Sequence, residues 1–337
     1  MTWFQRITGI KEKSPEQVRD QLSVDGDCIV CPDGTRIAFG RLETPTLSEL
    51  RKAVADADVP PRRSTIREIV GDVRQLHTDP ANAGSLFQVA SQFNLLEMTS
   101  PHVTPERGVG IYENDPTQGP ACAVACGAGT IYRNYFAEID DQMGQSADRQ
   151  IDCSADLGLK LGNIPDCLWK MQNGYLFPSD DGLAKINETI RATSAADLDL
   201  LRGQLRIGLQ WGVEVTLDDV GHRVSQAYCS ALPVAYGQQP QAEWTEFAKL
   251  ILDAAYEATF AAAVIHANQS GNRVLFLTLL GGGVFGNRDE WITDAIERAF
   301  QKNIQHGLDI QIVSYRQSNP AVADLVRRIN DSPSLPS

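Results

Sequence analysis

The sequence has little basic charge, few histidines and no serine-hydrolase motif. Its 30 lysine and arginine residues are outnumbered by 43 acidic residues, which gives a formal net charge of −13. A surface this acidic repels phosphate backbones, so we expect no nucleic-acid partner. The five histidines have no metal-ligand spacing, and we expect neither a metal nor another cofactor. The absence of a Gly-x-Ser-x-Gly element argues against a nucleophile-elbow hydrolase.

Disulfide frameworks and targeting segments are also missing. The seven cysteines are scattered along the chain, which favours reduced thiols and predicts a cytoplasmic location. Cys28 and Cys31 have the spacing of a redox or metal pair, but on a strand their thiols would point to opposite faces. The N-terminus has no basic region followed by an apolar run, so we expect no signal peptide. No stretch approaches the roughly 20 apolar residues of a membrane span, and we expect no membrane partner.

The length and composition are those of an ordinary globular protein. At roughly 150 residues per domain, 337 residues correspond to two domains or to one large domain with an extension. Hydrophobic residues make up 42% of the chain and charged residues 22%. We assign residues 1–65 to an N-terminal extension, residues 66–320 to a catalytic domain and residues 321–337 to a C-terminal tail whose end is disordered.

The apolar pattern predicts alternating strands and helices in the second half of the chain. Strands are predicted over 205–215, 224–232, 273–280 and 310–315, and helices over 244–265 and 291–300. In the first half the pattern predicts a hairpin over 28–39, a helix over 47–55, a strand over 66–73 and a helix over 86–93. This alternation is typical of a three-layer α/β/α sandwich with helices on both faces of the sheet.

A glycine-rich segment lies between the buried strand predicted over 273–280 and the helix predicted over 291–300. Glycines let the backbone approach a ligand and point its N–H groups at phosphate oxygens, and the following helix adds the positive end of its dipole. A tight turn without a ligand is the alternative. A dinucleotide fingerprint would require a following strand that ends in an acidic residue, and the strand near 311–315 does not. We predict a diphosphate loop formed by Gly281, Gly282, Gly283, Val284, Phe285, Gly286 and Asn287.

Three acidic residues stand nine positions apart in the central segment, namely Glu97, Glu106 and Asp115. Turn residues surround Glu106 and Asp115, which favours loops for both. If these loops fold back together, their carboxylates suit the cleavage of a glycosidic bond, because one activates water while another stabilises an oxocarbenium-like centre. For each acid the alternative is a helix cap or a surface charge.

Together these segments resemble macrodomains, the ADP-ribose-binding α/β/α fold. The resemblance is closest to the MavL-type macrodomains, relatives of the poly(ADP-ribose) glycohydrolases that include hydrolases of ADP-ribosylated arginine. It covers about residues 65–315. The segments that carry it include 91–94 with Glu97, Thr104-Pro105-Glu106, Asp115 to Ala121, and the glycine loop. Gly71-Asp72-Val73 is similar to the adenine-contacting element of simple macrodomains.

The resemblance implies a mixed central sheet, and ADP-ribose and an ADP-ribosylated protein as partners. It implies that Glu97, Glu106 and Asp115 form the catalytic site and that Asn94 lies near the distal ribose. Further implied substrate contacts are Thr117, Gln118, Gly119 and the glycine loop.

The chain lacks the Gly-Gly-Gly…Gln-Glu-Glu signature of poly(ADP-ribose) glycohydrolases. This departure argues against cleavage of the polymer. The resemblance to the MavL-type group implies ADP-ribosylated arginine as the substrate, and its cationic guanidinium suits clustered carboxylates. Two alternatives stay open: a module that binds ADP-ribose without cleaving it, and a hydrolase of other ADP-ribose conjugates or of a free nucleotide.

Overall fold

A computed structural model describes residues 1–57 and 60–331 of the chain. Its strands are β1 Ser23–Asp25, β2 Cys28–Val30, β3 Arg36–Ala38, β4 Arg41–Glu43, β5 Thr65–Val70, β6 Leu86–Ala90, β7 Glu138–Ile139, β8 Gln142–Met143, β9 Trp169–Gln172, β10 Tyr175–Pro178, β11 Gly208–Glu214, β12 Arg223–Cys229, β13 Val274–Leu277 and β14 Asp309–Ser314. Its α-helices are α1 Trp3–Thr8, α2 Pro15–Gln21, α3 Leu47–Ala55, α4 Val73–Thr78, α5 Gln118–Ala125, α6 Gly127–Tyr135, α7 Ala155–Leu161, α8 Asp180–Ala192, α9 Ala195–Arg202, α10 Thr245–Ser270, α11 Asp289–Lys302 and α12 Pro320–Asp331.

A seven-stranded mixed sheet in the order β4-β11-β12-β6-β13-β14-β5 forms the centre of the protein. The strands from β12 to β5 pair in parallel, whereas β11 is antiparallel to both of its neighbours. Successive side chains on β6 contact helices on opposite faces of the sheet. The ring of Phe87 stacks on His77 of α4, and Gln88 donates a hydrogen bond of 2.9 Å to Thr259 of α10. The predicted three-layer α/β/α sandwich with a mixed sheet is therefore confirmed.

Most of the predicted elements are present within a few residues of their expected bounds. Helix α3 spans the predicted residues because Thr46 and Glu49 form a reciprocal capping box at its start. The predicted hairpin forms from β2 and β3, which pair antiparallel. The helix predicted over 86–93 is wrong, since Leu86–Ala90 is the central strand β6. Both faces of β6 are covered and even Gln88 is buried, so its residues do not alternate between buried apolar and exposed polar ones.

The segment assigned to an N-terminal extension is joined to the main fold. Strand β4 pairs with β11 at the edge of the central sheet. The residues before it pack against α6 around a second apolar core that contains Trp3, Phe4 and Phe39. The boundary expected at residue 65 therefore does not coincide with a break in the fold.

The segment assigned to the C-terminal tail begins with an ordered helix. Helix α12 packs against β5 and α11 and buries Val322, Leu325 and Ile329. The expected disorder at the chain's end concerns residues 332–337, which lie outside the described residues.

Helix α10 runs through the core beneath the sheet. Contrary to the expectation from the sequence, the helical stretch Gln241–Ser270 is long and apolar enough to cross a membrane by length and composition, because its most apolar window has a mean hydropathy of 1.3. However, 94% of its most apolar window is buried inside the protein, where α10 packs against α3, α8 and α11. A helix that is apolar on all sides and covered on all sides is a core helix.

Candidate functional site

A cavity of about 660 Å³ opens at the carboxyl ends of the parallel strands. Gly71 follows β5, Ser91 follows β6, Thr278 follows β13 and Tyr315 follows β14, and all four line it. The carboxyl ends of parallel strands are where open α/β sheets bind their ligands. The volume lies within the range of roughly 300–1,000 Å³ of small-molecule sites.

The glycine loop forms one wall of this cavity, and hydrogen bonds with Tyr256 and Asn287 fix its conformation. Tyr256 accepts a hydrogen bond from the Leu280 N–H at 2.9 Å and donates one to the Thr278 carbonyl at 2.7 Å. Asn287 closes the loop, because its N–H donates to the Gly281 carbonyl and its side chain to the Leu232 carbonyl. Residue 281 has a φ of +70°, and a Cβ there would lie 2.5 Å from the side-chain Nδ2 of Asn287, so only glycine fits.

The tip of the loop offers backbone donors to the cavity. The N–H groups of Gly282 and Gly286 are used in turns within the loop. Within residues 1–57 and 60–331, no acceptor pairs with the N–H groups of Gly283, Val284 and Phe285. Adjacent free N–H groups in a turn form a concave anion-binding surface.

The first turn of α5 forms another wall. The Gln118 side chain accepts from the Ala90 N–H and donates to the Gln88 carbonyl, each at 2.8 Å, which ties the start of the helix to β6. Gly119 lies so close to this strand that a Cβ would be 2.0 Å from the Ala90 carbonyl oxygen. There is no acidic residue in this first turn. Pro120 has no N–H and Ala121 donates to the Thr117 carbonyl, so the N–H groups of Gln118 and Gly119 are the ones without a partner among the described residues, and they favour a negatively charged ligand.

Glu97 borders the cavity without a hydrogen-bond partner for its carboxylate. Its side chain is 1% exposed, and neither oxygen has a partner within the described part of the chain. Burial raises the pKa of Glu97 to about 8, while the positive charge of Arg133 opposes that rise. Burial therefore favours the protonated form of Glu97, which can donate a proton.

Asp115 lies at the rim of the cavity on the loop before α5. Its Oδ1 accepts from the Thr117 N–H at 2.9 Å and from the Thr117 hydroxyl at 2.6 Å. Burial raises the pKa of Tyr236, and the negative charge of Asp115 adds to this rise. Asp115 thus presents a carboxylate beside an aromatic wall.

That aromatic wall consists of Tyr175, Tyr236 and Phe285, which contact one another with ring centroids 5.4–5.7 Å apart. Tyr175 is fixed by a 2.8 Å hydrogen bond from its hydroxyl to the Met98 carbonyl. Tyr175 and Tyr236 were not predicted as site residues, because β10 and the loop after β12 are distant in sequence from the glycine loop.

The opposite end of the cavity is bordered by Asp72, Arg74, Tyr315 and Arg316. Asp72 caps α4 by accepting from the Arg74 N–H at 2.9 Å. The Arg316 guanidinium lies 4.8 Å from the centre of the Tyr315 ring. This end therefore combines an exposed aromatic ring with two cations.

No family model and no curated protein matches this chain. Among solved structures it is similar to poly(ADP-ribose) glycohydrolase from Thermomonospora curvata bound to the inhibitor ADP-HPD, with 14% identity, a TM-score of 0.44, and coverage of 93% of this chain and 96% of that one. The same enzyme in another structure gives 15% identity, a TM-score of 0.45 and the same coverage. The glycohydrolase from Deinococcus radiodurans in complex with ADP-ribose gives 14% identity and a TM-score of 0.42, covering 86% of this chain and 92% of that one. Likeness at this level does not show a family or an activity.

The fold brings most of the predicted site residues to one cavity. Its lining includes Glu97, Asp115, Thr117, Gln118, Gly119, Gly281, Gly283, Val284 and Phe285. Gly282, Gly286 and Asn287 shape the glycine loop behind that lining. The predicted convergence of two loops is thus present for Glu97 and Asp115.

Glu106 and Asn94 do not line the cavity. The Glu106 side chain is exposed, and its Oε1 accepts from the Ala147 N–H at 2.7 Å. Asn94 is fully buried, with Nδ2 donating to Gln150 at 2.9 Å and Oδ1 accepting from the Leu96 N–H at 3.1 Å. Both polar groups fix the backbone of neighbouring loops, so neither is free to contact a substrate in this arrangement.

Proposed function

We propose that this protein is an ADP-ribosyl hydrolase that removes ADP-ribose from modified arginine side chains. The observation that carries the proposal is Glu97, a buried carboxyl group without a hydrogen-bond partner in the described chain, at the wall of a cavity that also offers free backbone N–H groups. A buried group left unpaired is costly for stability. Such a cost is typical of catalytic groups whose partner is the substrate.

The diphosphate of the ligand would bind between the glycine loop and the start of α5. Both offer N–H groups that no acceptor of the described residues uses, and the first turn of α5 itself contains no acidic residue. The exposed Tyr315 ring offers a stacking surface for adenine at the far end. In this orientation the distal ribose would lie toward Glu97 and Asp115.

The reaction would replace the bond between ribose C1″ and the guanidine nitrogen with a bond to water oxygen. The guanidine leaves with the bonding electron pair, and positive charge builds up on the ribose. The carboxylate of Asp115 at the cavity rim would stabilise this charge and attract the cationic guanidinium. Glu97 would take the water's proton and give its own proton to the departed guanidine, which becomes a guanidinium ion again.

A second candidate is a hydrolase of ADP-ribose linked through oxygen, and the raised pKa of Glu97 favours it. A departing alcohol oxygen needs a proton from a general acid. A guanidinium can leave as a neutral guanidine without one. The protonated Glu97 therefore suits an oxygen linkage at least as well as a nitrogen linkage.

The test is to incubate the protein with two peptides that carry ADP-ribose on arginine or on serine, and to measure free ADP-ribose by mass spectrometry. We expect release from the arginine-linked peptide, and loss of that release in Glu97→Gln, which keeps the side chain's size but cannot transfer a proton. Release from the serine-linked peptide alone would favour the second candidate. Tight binding of ADP-ribose without release from either peptide would show a binding module instead.

A further inference from the structure

Glu12 in the N-terminal segment contacts the loop that leads to Asp115. Its Oε1 accepts from the Val109 N–H at 2.8 Å and from the Tyr135 hydroxyl at 2.6 Å, and its Oε2 accepts from the Gly110 N–H at 2.7 Å. The two backbone donors are almost a hundred residues away in sequence. This segment therefore holds a loop of the main fold by charge-assisted hydrogen bonds, which are the stronger kind.

The loop around residues 108–110 is shaped to admit this carboxylate. Residue 108 has a φ of +86°, and a Cβ there would lie 2.5 Å from the carboxyl carbon of Glu12. A Cβ on Gly110 would lie 2.6 Å from Oε2 of Glu12. Only glycine at both positions lets the backbone close around the carboxylate. The pair of N–H groups forms a small anion nest, which the chain fills with its own side chain.

The loop held by Glu12 leads directly to the residues at the cavity. A 3₁₀-helix spans Gly110–Asn114, and the Asp115 N–H donates to the Tyr112 carbonyl at 3.1 Å. The buried Tyr112 hydroxyl accepts from the Glu97 N–H at 3.3 Å. One short helix therefore connects the Glu12 nest to the backbone of both cavity carboxylates.

A second contact of the N-terminal segment holds the same helix. The Trp3 N–H donates to Glu113 at 3.0 Å, and its indole N–H donates to the Val109 carbonyl at 3.2 Å. Trp3 and Tyr112 both lie in the apolar core that the segment shares with α6. Trp3 and Tyr112 are at most 1% exposed, so this side of the 3₁₀-helix is shielded from water, and Glu12 beside it is half-buried.

We propose that Glu12 is a positioning residue for catalysis, which fixes the 3₁₀-helix Gly110–Asn114 and thereby the placement of Asp115 and Glu97. The proposal rests on the proposed function for its catalytic consequence. By this proposal the N-terminal segment helps to hold the loop that carries Asp115. Small displacements of catalytic groups lower turnover more than they lower the affinity for a ligand held elsewhere.

The test compares Glu12→Gln with Glu16→Gln, an exposed glutamate on the same segment that lies in neither the nest nor the cavity. In Glu12→Gln an amide NH₂ group faces a backbone N–H, so one bond of the nest is lost. We expect kcat on the cleaved peptide to fall on the order of tenfold or more, with ADP-ribose affinity within about twofold of wild type. Glu16→Gln should keep the wild-type kcat. Tyr135→Phe, which leaves both backbone bonds in place, should cause a smaller loss.

Hydrogen exchange separates this proposal from the proposed function. In Glu12→Gln the amides of residues 108–115 should exchange faster, while those of residues 281–287 should be unchanged. Wild-type kcat and wild-type exchange in Glu12→Gln would overturn the proposal. So would a parallel loss of kcat, ADP-ribose affinity and melting temperature, because that pattern describes general destabilisation. If wild-type protein cleaves no substrate, the proposed function fails, and the exchange measurement still decides whether Glu12 holds the loop.

Discussion

The Arg133 guanidinium lies 3.8 Å from the Glu97 carboxylate, and both side chains are buried, yet the two do not form a hydrogen bond. Arg133 donates to the Leu95 carbonyl at 2.9 Å and to more distant acceptors on Thr130 and Gln210. Its guanidinium also stacks 3.6 Å above the centre of the Tyr228 ring. Because Arg133 donates to other groups, Glu97 keeps an ion-pair contact with it but accepts no hydrogen bond, and burial favours the protonated form of Glu97.

The first prediction concerns the pH dependence of stability. The pKa of Glu97 is about 8 in the folded protein, against an ordinary value of 4.5, so the folded state binds its proton more tightly than the unfolded state does. The stabilising contribution is fully present below pH 4.5 and is lost as the pH rises through about 8. By linkage the loss is on the order of 3–5 kcal/mol in the free energy of unfolding. Glu97→Gln should lack this loss.

Urea denaturation of wild type and Glu97→Gln at pH 5, 7 and 9 checks this prediction. As the pH rises, the free energy of unfolding of wild type should fall relative to that of Glu97→Gln. Glu188→Gln is the matched control, because Glu188 is an exposed glutamate on α8. A difference between Glu97→Gln and wild type that stays constant across this range would contradict a raised pKa.

The second prediction concerns the glycine loop. An added Cβ at residue 283 meets no atom within 4 Å, and its φ is not in the left-handed region, so side chains are tolerated there by the fold. Gly283→Ala should therefore keep both stability and ADP-ribose binding within a few-fold. Gly283→Glu should abolish binding, because it brings a negative charge beside the site for the diphosphate. Titration calorimetry on the two variants measures this, and equal affinities for both would show that the loop is not part of the binding site.

Strong local signals in the sequence were sufficient for several elements. Helix α3 could be predicted to the residue because its cap and its apolar spacing agree. The glycine loop could be predicted because its conformation at residue 281 excludes every other residue type. The helical spacing of residues 244–265 likewise predicted α10, whose burial overrides its resemblance to a membrane span.

Long-range contacts determine what could not be predicted. Strand β6 is covered on both faces, so its apolar run has no strand period and was assigned to a helix. Glu106 and Asp115 both follow turn signals, and sequence spacing does not tell which loop folds toward the cavity. The place of β4 in the central sheet depends on pairing with β11, more than 160 residues later, which no local pattern reports.

The third prediction concerns metals. No group of three or more histidine, cysteine, aspartate or glutamate side chains within residues 1–57 and 60–331 could hold a metal ion. The proposed reaction needs only the charge of Asp115 and the proton of Glu97. Release of ADP-ribose should therefore be the same after EDTA treatment and dialysis. Loss of release that added magnesium restores would instead show a metal-dependent hydrolase.

The last prediction separates Asp115 from Glu106 by their positions. Asp115→Asn keeps Oδ1 as an acceptor for the Thr117 N–H and hydroxyl, so the loop should hold its shape while the charge is lost. Turnover of the arginine-linked peptide should fall roughly 10²-fold or more, with ADP-ribose affinity within a few-fold, because charge stabilisation acts on the transition state.

Glu106→Gln is the matched control for Asp115→Asn, since its carboxylate is exposed and contacts the Ala147 N–H outside the cavity. Its turnover should lie within about twofold of wild type, the spread expected for a change away from the reacting atoms. The comparison uses kcat and KM on the same peptide, with ADP-ribose affinity measured separately. A large loss of kcat in Glu106→Gln beside a normal Asp115→Asn would mean that the catalytic loop is the one at residue 106. In that case the loops must rearrange when substrate binds, because Glu106 would have to leave Ala147 to reach the ribose.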